Sequence, residues 1–310
     1  MSVLTHPRAS TPRRLAWRRF QSHRLALVSA VVLALLVVLA LAAPLIALAL
    51  GVAVDDVDLF LRLGPPSGAH PLGTDVLGRD LLLRLLHGGR VSLAVGVSSA
   101  MVAAVIGTIV GIVAGFFGGR LDAVLMRFAD GVISLPLLPL LIVLAAVDPG
   151  KIGIPESIAS SEAFSLYRII GIISLVGWTT VARLARAATM ALRERDFIQV
   201  AVAQGFGPAR IMVRHILPNA ASPILVATTL TVGNVILFES VLSFLGLGIQ
   251  PPVASWGNML TGAQELIWQA PMQAVWPGML IFVTVICFNF LGDGLQDALD
   301  PRSGTGTIPR

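Results

Sequence analysis

The chain has 310 residues, of which 55% are hydrophobic and 13% are charged, and its mean hydropathy is +0.85. This composition excludes an ordinary soluble domain, in which about 25% of residues are charged, and predicts a polytopic membrane protein. The net charge is +5, and Arg residues beside apolar spans indicate membrane orientation rather than nucleic-acid binding. The single cysteine, Cys287, excludes a disulfide or a Cys-based metal site within the chain.

The N-terminal part of the chain predicts a basic cytoplasmic segment followed by a first transmembrane helix. Residues 1–24 contain six arginines and no acidic residue, whereas residues 25–54 are uncharged. The apolar stretch is longer than the core of a cleaved signal peptide, and it exceeds the roughly 20 residues that cross a bilayer. By the positive-inside rule, the basic flank belongs on the cytoplasmic side.

The rest of the chain predicts a loop, five further transmembrane helices and a tail. Residues 55–90 are polar and rich in turn residues, which is typical of an extracellular loop segment. Residues 91–302 are the predicted helical core and residues 303–310 a C-terminal tail. Four of the predicted spans of the core are about 91–119, 131–147, 165–182 and 276–291. The remaining span starts near residue 220 and continues past Glu239. Most Lys and Arg residues then fall on inner segments, which places both termini in the cytoplasm.

Small and kinking residues are expected to shape these spans. Gly107, Gly111 and Gly115 recur every four residues and predict a face for close helix packing. Pro136 and Pro139 predict a kink or break in the third span, which membrane helices tolerate when neighbouring groups bond the freed carbonyls. Trp256, Trp268 and Trp276 are typical of a belt at the membrane interface, and we expect them to lie there.

Residues 192–219 stand out as a basic amphipathic stretch between two apolar spans. Apolar residues at helical spacing predict a short first helix, and Gly205 and Gly207 allow a tight reversal. Pro208 suits the first turn of a second helix, which is expected to end before Pro218. The stretch therefore predicts a helix, a turn and a helix at the membrane surface, in a form that fits a cleft on a partner protein.

This stretch resembles the cytoplasmic coupling loop of ABC-importer permeases, and we call it the coupling segment. The matching positions are Gln199-Val200-Ala201, Gly205 and His215-Ile216-Leu217-Pro218. Gln199 replaces the Glu of the family pattern and Val200 replaces an Ala, so one charge contact expected with the ATPase is missing. The resemblance implies that the following residues couple the chain to an ATPase: Arg195, Asp196, Gln199, Val200, Ala201, Gly205, Phe206, Gly207, His215, Leu217 and Pro218.

Three further stretches resemble the dipeptide, oligopeptide and nickel permease family of ABC importers, specifically its C-type subunit. They are 70–80, which reads HPLGTDVLGRD, and the pair 243–248 and 292–301, which read SFLGLG and GDGLQDALDP. The resemblance implies an all-α type I importer fold with six transmembrane helices and a cytoplasmic coupling helix. The implied partners are a sister permease, two ATP-binding subunits that hold ATP and Mg, an extracellular solute-binding protein, and membrane lipid. The implied substrate is a dipeptide or oligopeptide, with nickel or another small solute as the alternative.

Candidate pathway residues are few, and their interpretation stays open. Glu239 is an acid in an apolar run, which marks a functional candidate; hydrogen bonding to a neighbouring loop is the alternative that we favour. Asn234 and Asn289 either line the pathway or bond between helices. No phosphate-binding G-x-x-x-x-G-K-[ST] motif, catalytic triad or zinc-spaced ligand pair occurs, so ATP hydrolysis is expected from a partner. An ion-coupled secondary transporter and a membrane scaffold are the rival functions.

Overall fold

The computed structural model describes residues 12–299, and helices joined by loops make up this part of the chain. Within it no strand is assigned. The α-helices, numbered in chain order, are α1 Pro12–Ser22, α2 Arg24–Leu50, α3 Leu81–Phe117, α4 Gly119–Ser134, α5 Leu137–Ala146, α6 Glu156–Ala159, α7 Glu162–Arg193, α8 Asp196–Ala203, α9 Pro208–Ile211, α10 Leu217–Phe244, α11 Ala263–Leu266 and α12 Met272–Leu299. The predicted tail, 303–310, and residues 1–11 of the predicted basic segment lie outside the described residues.

The predicted fold class is confirmed. Among residues 12–299, five helical stretches are long and apolar enough to cross a membrane: α2, α3, α7, the continuous stretch Pro208–Phe244, and α12. A sixth span results if α4 and α5, which meet at 87°, are counted as one bent pair. The chain is therefore an all-α polytopic membrane protein, with one of the six predicted spans broken rather than straight.

The first span is shorter than predicted. Helix α2 ends at Leu50 instead of residue 54, because Gly51 adopts a left-handed conformation with φ 68° and its N–H bonds back to carbonyls of the last turn. This is a common way for a helix to end, and glycine adopts it without the steric cost of a Cβ atom.

The second span begins ten residues earlier than predicted, so the loop 55–90 is helical from Leu81 onward. Asp80 caps the helix, and its carboxylate accepts a hydrogen bond of 2.7 Å from the N–H of Leu83. Gly88 and Gly89 lie inside α3, where a Cβ atom on Gly89 would stand 2.8 Å from the Trp256 ring. These glycines therefore serve close packing and do not form a turn.

The third span breaks at the first of its two prolines. Pro136 lies between α4 and α5, as predicted, because its ring cannot continue the helix. Pro139 causes no break, since it falls in the first turn of α5, where the missing N–H has no partner within the helix. Only Gly118 separates α3 from α4, which begins directly after it.

The fifth span does not start afresh after Pro218. Pro208–Phe244 is one continuous helical stretch that contains a π-helical turn, Met212–Ile216. The N–H of Leu217 bonds to the carbonyl of Met212, five residues back, so the register shifts just before Pro218, which then lies in the first turn of α10. The prediction that the helix ends before Pro218 is wrong, because the π turn accommodates the proline.

The core of the bundle is the packing of α3 against α7. The three predicted glycines of α3 all face α7: a Cβ atom on Gly107 would lie 2.5 Å from the Trp178 carbonyl, and one on Gly115 would lie 2.8 Å from the Arg186 carbonyl. The prediction of a close packing face is therefore confirmed. Helices α7 and α12 extend beyond the predicted 165–182 and 276–291, since their polar ends continue the same helices.

The predicted tryptophan belt is wrong for Trp256. This residue is only 2% exposed, and its indole N–H donates a 2.9 Å hydrogen bond to the carbonyl of Leu85. By contrast, Trp268 is 93% exposed. The sequence does not separate these two residues, because only the return of the chain after α10 brings Trp256 onto α3.

Candidate coupling segment and transport cavity

The coupling segment is a helix, a turn and a helix, as its sequence predicts. Helix α8 is followed by Gly205, which has φ 80°, and Pro208 then opens α9 at its first position. A Cβ atom added to Gly205 would meet no atom within 4 Å, so this position requires glycine for its backbone angle and not for space. Gly207 has a φ of −66°, which any residue can adopt.

A stack of side chains holds the turn of the segment. The guanidinium of Arg210 lies 4.3 Å from the ring centre of Phe206, on the other side of the turn. The His215 ring stacks on Phe206 with centres 6.1 Å apart. A cation over an aromatic face contributes about 0.5–1 kcal/mol at an exposed site. The stack therefore ties α9 and the π turn to the end of α8.

The underside of the segment is an apolar base anchored in the membrane bundle. Buried apolar residues from both arms of the segment pack on the end of α3; they are Ile198, Ala201, Ile211 and Ile216, against Ile112. In addition, the Arg193 guanidinium donates a 3.1 Å hydrogen bond to the carbonyl of Phe116. The segment is thus fixed to α3 and α7.

The opposite side of the segment exposes apolar side chains. Val200 is 54% exposed, and Phe197, three residues earlier on α8, is 44% exposed. Val202 is also exposed, but it flanks the buried face because it lies four residues after Ile198. The sequence did not identify Phe197 as a site residue, although its three-residue spacing from Val200 on α8 is a signal that could have found it. A short helix with apolar side chains on its outer face can dock into a cleft of another protein.

The residues predicted to couple the chain to an ATPase fall into two groups. Ala201 is buried in the apolar base, and Phe206 and His215 are partly buried in the stack, so these three shape the segment. The others are exposed and available to a partner: Arg195, Asp196, Gln199, Val200, Gly205, Gly207, Leu217 and Pro218. Gln199, which stands in place of the family acid, donates a 3.4 Å hydrogen bond to the Glu194 carbonyl.

Ion pairs connect the bent pair to α7 near the coupling segment. Arg186 of α7 holds Asp122 of α4 with two hydrogen bonds, one of them 2.6 Å long between Nη2 and Oδ2. Arg183 pairs with Asp130 one helical turn further along α7. A bidentate guanidinium–carboxylate pair fixes geometry as well as contributing energy. Helix α4 is therefore positioned by the same helix that carries the coupling segment.

A cavity of about 210 Å³ lies between the bent pair, α7 and α10. Its polar lining consists of three threonine hydroxyls and one amide, and its remaining lining is apolar; the polar residues are Thr179, Thr180, Thr231 and Asn234. Among residues 12–299, no Asp, Glu, Lys, Arg or His lines the cavity. Such a wall can offer hydrogen bonds to a neutral polar group, and it does not select for charge.

The three residues predicted for the pathway do not lie together. Asn234 lines the cavity, whereas Glu239 is completely buried away from it, and Asn289 lies on α12 beside Gly233. Glu239 accepts hydrogen bonds from the hydroxyls of Ser92 on α3 and Ser243 on α10. Among residues 12–299, no group of three His, Cys, Asp or Glu side chains could hold a metal ion.

Comparison with known proteins identifies the family. A family described as "Binding-protein-dependent transport system inner membrane component" matches residues 107–304, and one described as "N-terminal TM domain of oligopeptide transport permease C" matches residues 11–66. The oligopeptide transport system permease protein OppC of Escherichia coli K12 is 40% identical over 93% of this chain and 90% of its own length. The OppC protein of Bacillus subtilis is 36% identical over 93% and 88%.

A solved structure agrees in fold. A chain of the MetNI methionine ABC transporter, in an inward facing conformation, aligns with a TM-score of 0.54 and 20% identity, over 70% of this chain and 96% of that chain. The bundle is thus an ABC-importer permease fold, and the location that this family implies is the inner membrane, crossed several times. The coupling segment, the cavity and the family match lead to one conclusion: this chain belongs to the binding-protein-dependent transport system inner membrane components.

Proposed function

We propose that this chain pairs with a sister permease to form the translocation pathway of an ATP-driven importer for dipeptides and oligopeptides. An extracellular binding protein would deliver the substrate, and two ATP-binding subunits would supply the energy. One observation carries the proposal: the coupling segment presents exposed apolar side chains on a base fixed to the membrane helices. The names of the relatives at 40% and 36% identity support a peptide as the substrate.

The coupling segment is the proposed contact with the ATP-binding subunits. The sequence has no phosphate-binding motif, so ATP and Mg would be held by these partners. When ATP closes the partners, a cleft that holds Val200 and its neighbours would carry the segment with it. Because the segment is anchored to α3 and α7, its displacement would shift two walls of the bundle and open the pathway to the other side.

The cavity wall supports a peptide over nickel. A nickel ion needs imidazole, thiolate or carboxylate ligands, and the cavity has none of them. Hydroxyl and amide groups can instead bond the backbone of peptides whose side chains differ, which suits transport with broad specificity. A volume of about 210 Å³ is too small for an oligopeptide, so the sister permease would supply the opposite wall.

The proposed orientation places the coupling segment and both termini in the cytoplasm. Its support is the positive-inside rule, since arginines cluster before α2 and along the coupling segment. The loop between α2 and α3 and the loop after α10 would then face the binding protein. An ion-coupled secondary transporter is the less supported alternative, because no ionisable side chain of the described part of the chain lines the cavity.

Binding of the ATP-binding subunits tests this function. Val200→Asp should weaken copurification by at least about tenfold, because a buried charge in an apolar contact costs more than the roughly 1.4 kcal/mol that this factor represents. Phe60→Asp is the matched control, since Phe60 is 100% exposed on the loop before α3. Equal copurification of both variants would show that the segment is not the contact.

A further inference from the structure

A buried carboxyl group anchors the loop that follows α10. We call residues 245–257 the outer loop; it leaves α10 and returns to the bundle at Trp256. Beneath it lies Glu239, which is 0% exposed. The Ser243 hydroxyl donates to its Oε1 atom at 2.8 Å, and the Ser92 hydroxyl of α3 donates to its Oε2 atom at 3.2 Å.

Each of these two hydroxyls also holds one end of the outer loop. The backbone N–H of Ile249 donates to the Ser243 oxygen at 3.0 Å, and the N–H of Trp256 donates to the Ser92 oxygen at 3.1 Å. A hydroxyl has one proton, and here it points to the carboxyl group, which leaves the oxygen lone pairs for the loop. Glu239 therefore orients both hydroxyls and links the loop to α10 and α3 together.

The contact of the outer loop with α7 is of another kind. The Ser165 hydroxyl near the start of α7 accepts a 3.2 Å hydrogen bond from the exposed backbone N–H of Gln250. Water can replace a partner in an exposed hydrogen bond at small cost, whereas a buried polar group that loses its partner carries the full desolvation penalty. The loop also places Ile249, which is 2% exposed, in an apolar cluster with Ile169 and Ile173 of α7. The loop is thus held by buried hydrogen bonds on the side of α3 and α10, and by apolar packing and exposed hydrogen bonds on the side of α7.

We propose that Glu239 is a positioning residue that keeps the outer loop attached to α3 and α10, so that the loop moves with these helices and separates from α7 at Ser165 when the outer side opens. The second half of this statement rests on the proposed transport function. The face of α10 that carries Asn234 and Phe238 lines the cavity. Separation at Ser165 would therefore open the cavity between α10 and α7, two of the helices that line it.

Hydrogen exchange of the purified chain in lipid nanodiscs tests the attachment without any transport. Ser92→Ala should speed exchange in the peptide that contains Trp256 by about tenfold, and Ser243→Ala should do the same for the peptide that contains Ile249. Ser99→Ala is the matched control, because the Ser99 hydroxyl is buried on the same helix and has no hydrogen-bond partner among the described residues. Exchange as slow in both test variants as in the control would overturn the proposal.

Glu239 itself is tested in the same assay. Glu239→Gln keeps the size of the side chain but replaces one acceptor oxygen with an NH₂ donor. Only one of the two serine hydroxyls then keeps its acceptor, so one end of the outer loop should exchange faster and the other should not. Glu239→Ala should release both ends. Protection of both ends in both variants would show that the serines hold the loop unaided, and the carboxyl group would then have no positioning role.

A cross-link tests the opening in the complete complex with its binding protein and ATP-binding subunits. Ser165→Cys and Gln250→Cys, in a Cys287→Ala background, should form a disulfide that stops peptide uptake, and a reductant should restore it. The two single-cysteine variants under the same oxidant are the control. Undiminished uptake by the cross-linked complex would refute separation at Ser165. A lack of uptake even in the unmodified complex would instead count against the proposed function, and the exchange result would stand.

Discussion

The left-handed turn of the coupling segment can be tested by replacing its two glycines. Gly205 has φ 80° and open space around its Cα, so Gly205→Val adds only backbone strain. A left-handed conformation costs an ordinary residue about 1–2 kcal/mol, and a β-branched residue lies at or above the upper end of this range. We therefore expect Gly205→Val to destabilise the turn by about 2 kcal/mol, and Gly205→Asn by much less, since Asn tolerates this region.

Gly207 provides the matched control for this series. It is exposed, has no atom within 4 Å of an added Cβ, and has a φ of −66°, so Gly207→Val should leave the turn intact. The assay is hydrogen exchange of residues 196–208 in the chain without partners, where about 2 kcal/mol corresponds to roughly thirtyfold faster exchange. The reasoning is refuted if Gly205→Val and Gly207→Val exchange alike. In the complete complex, Gly205→Val should also lower uptake per ATP hydrolysed.

Three further predictions concern the bundle and the cavity. Gly111→Leu should prevent the packing of α3 on α7, because the added Cβ atom would lie only 2.7 Å from the Cβ atom of Ala185. The melting temperature of this variant in detergent should fall sharply. Gly131→Ala should not lower the melting temperature, because there is open space around Gly131. Arg186→Ala should leave Asp122 unpaired and reduce thermal stability, and adding Asp122→Ala should recover part of the loss. Asn234→Ala should reduce peptide uptake with an unchanged amount of folded protein, since this amide lines the cavity; a parallel loss of folded protein would contradict a pathway role.

The helical membrane fold and the coupling segment could be predicted because they depend on local patterns. Long uncharged stretches fix the spans, and the Gly–Pro pattern at 205–208 fixes the turn between α8 and α9. The break at Pro136 is equally local. Each of these features requires only residues that are close together in the chain, so the sequence contains the information in readable form.

The errors arose where distant residues meet. Gly88 and Gly89 resemble a turn in sequence, but the distant Trp256 ring requires them as a packing surface within α3. Pro218 is an exception: it has the signature of a helix end, and the π turn that keeps the helix continuous lies just before it in the chain. A sequence also cannot show that Glu239 faces two serines while Asn234 faces the cavity, because this depends on how α10 is rotated against α3 and α7.

The central claim is that this chain transmits ATP hydrolysis by its partners to peptide transport, and uptake in proteoliposomes tests it most directly. The vesicles would contain this chain, the sister permease and the ATP-binding subunits, with the binding protein and a labelled tripeptide outside and ATP within. The account predicts accumulation of the tripeptide that requires ATP and every subunit and persists when ion gradients are collapsed. Accumulation driven by an ion gradient in vesicles that contain this chain without ATP-binding subunits would contradict it.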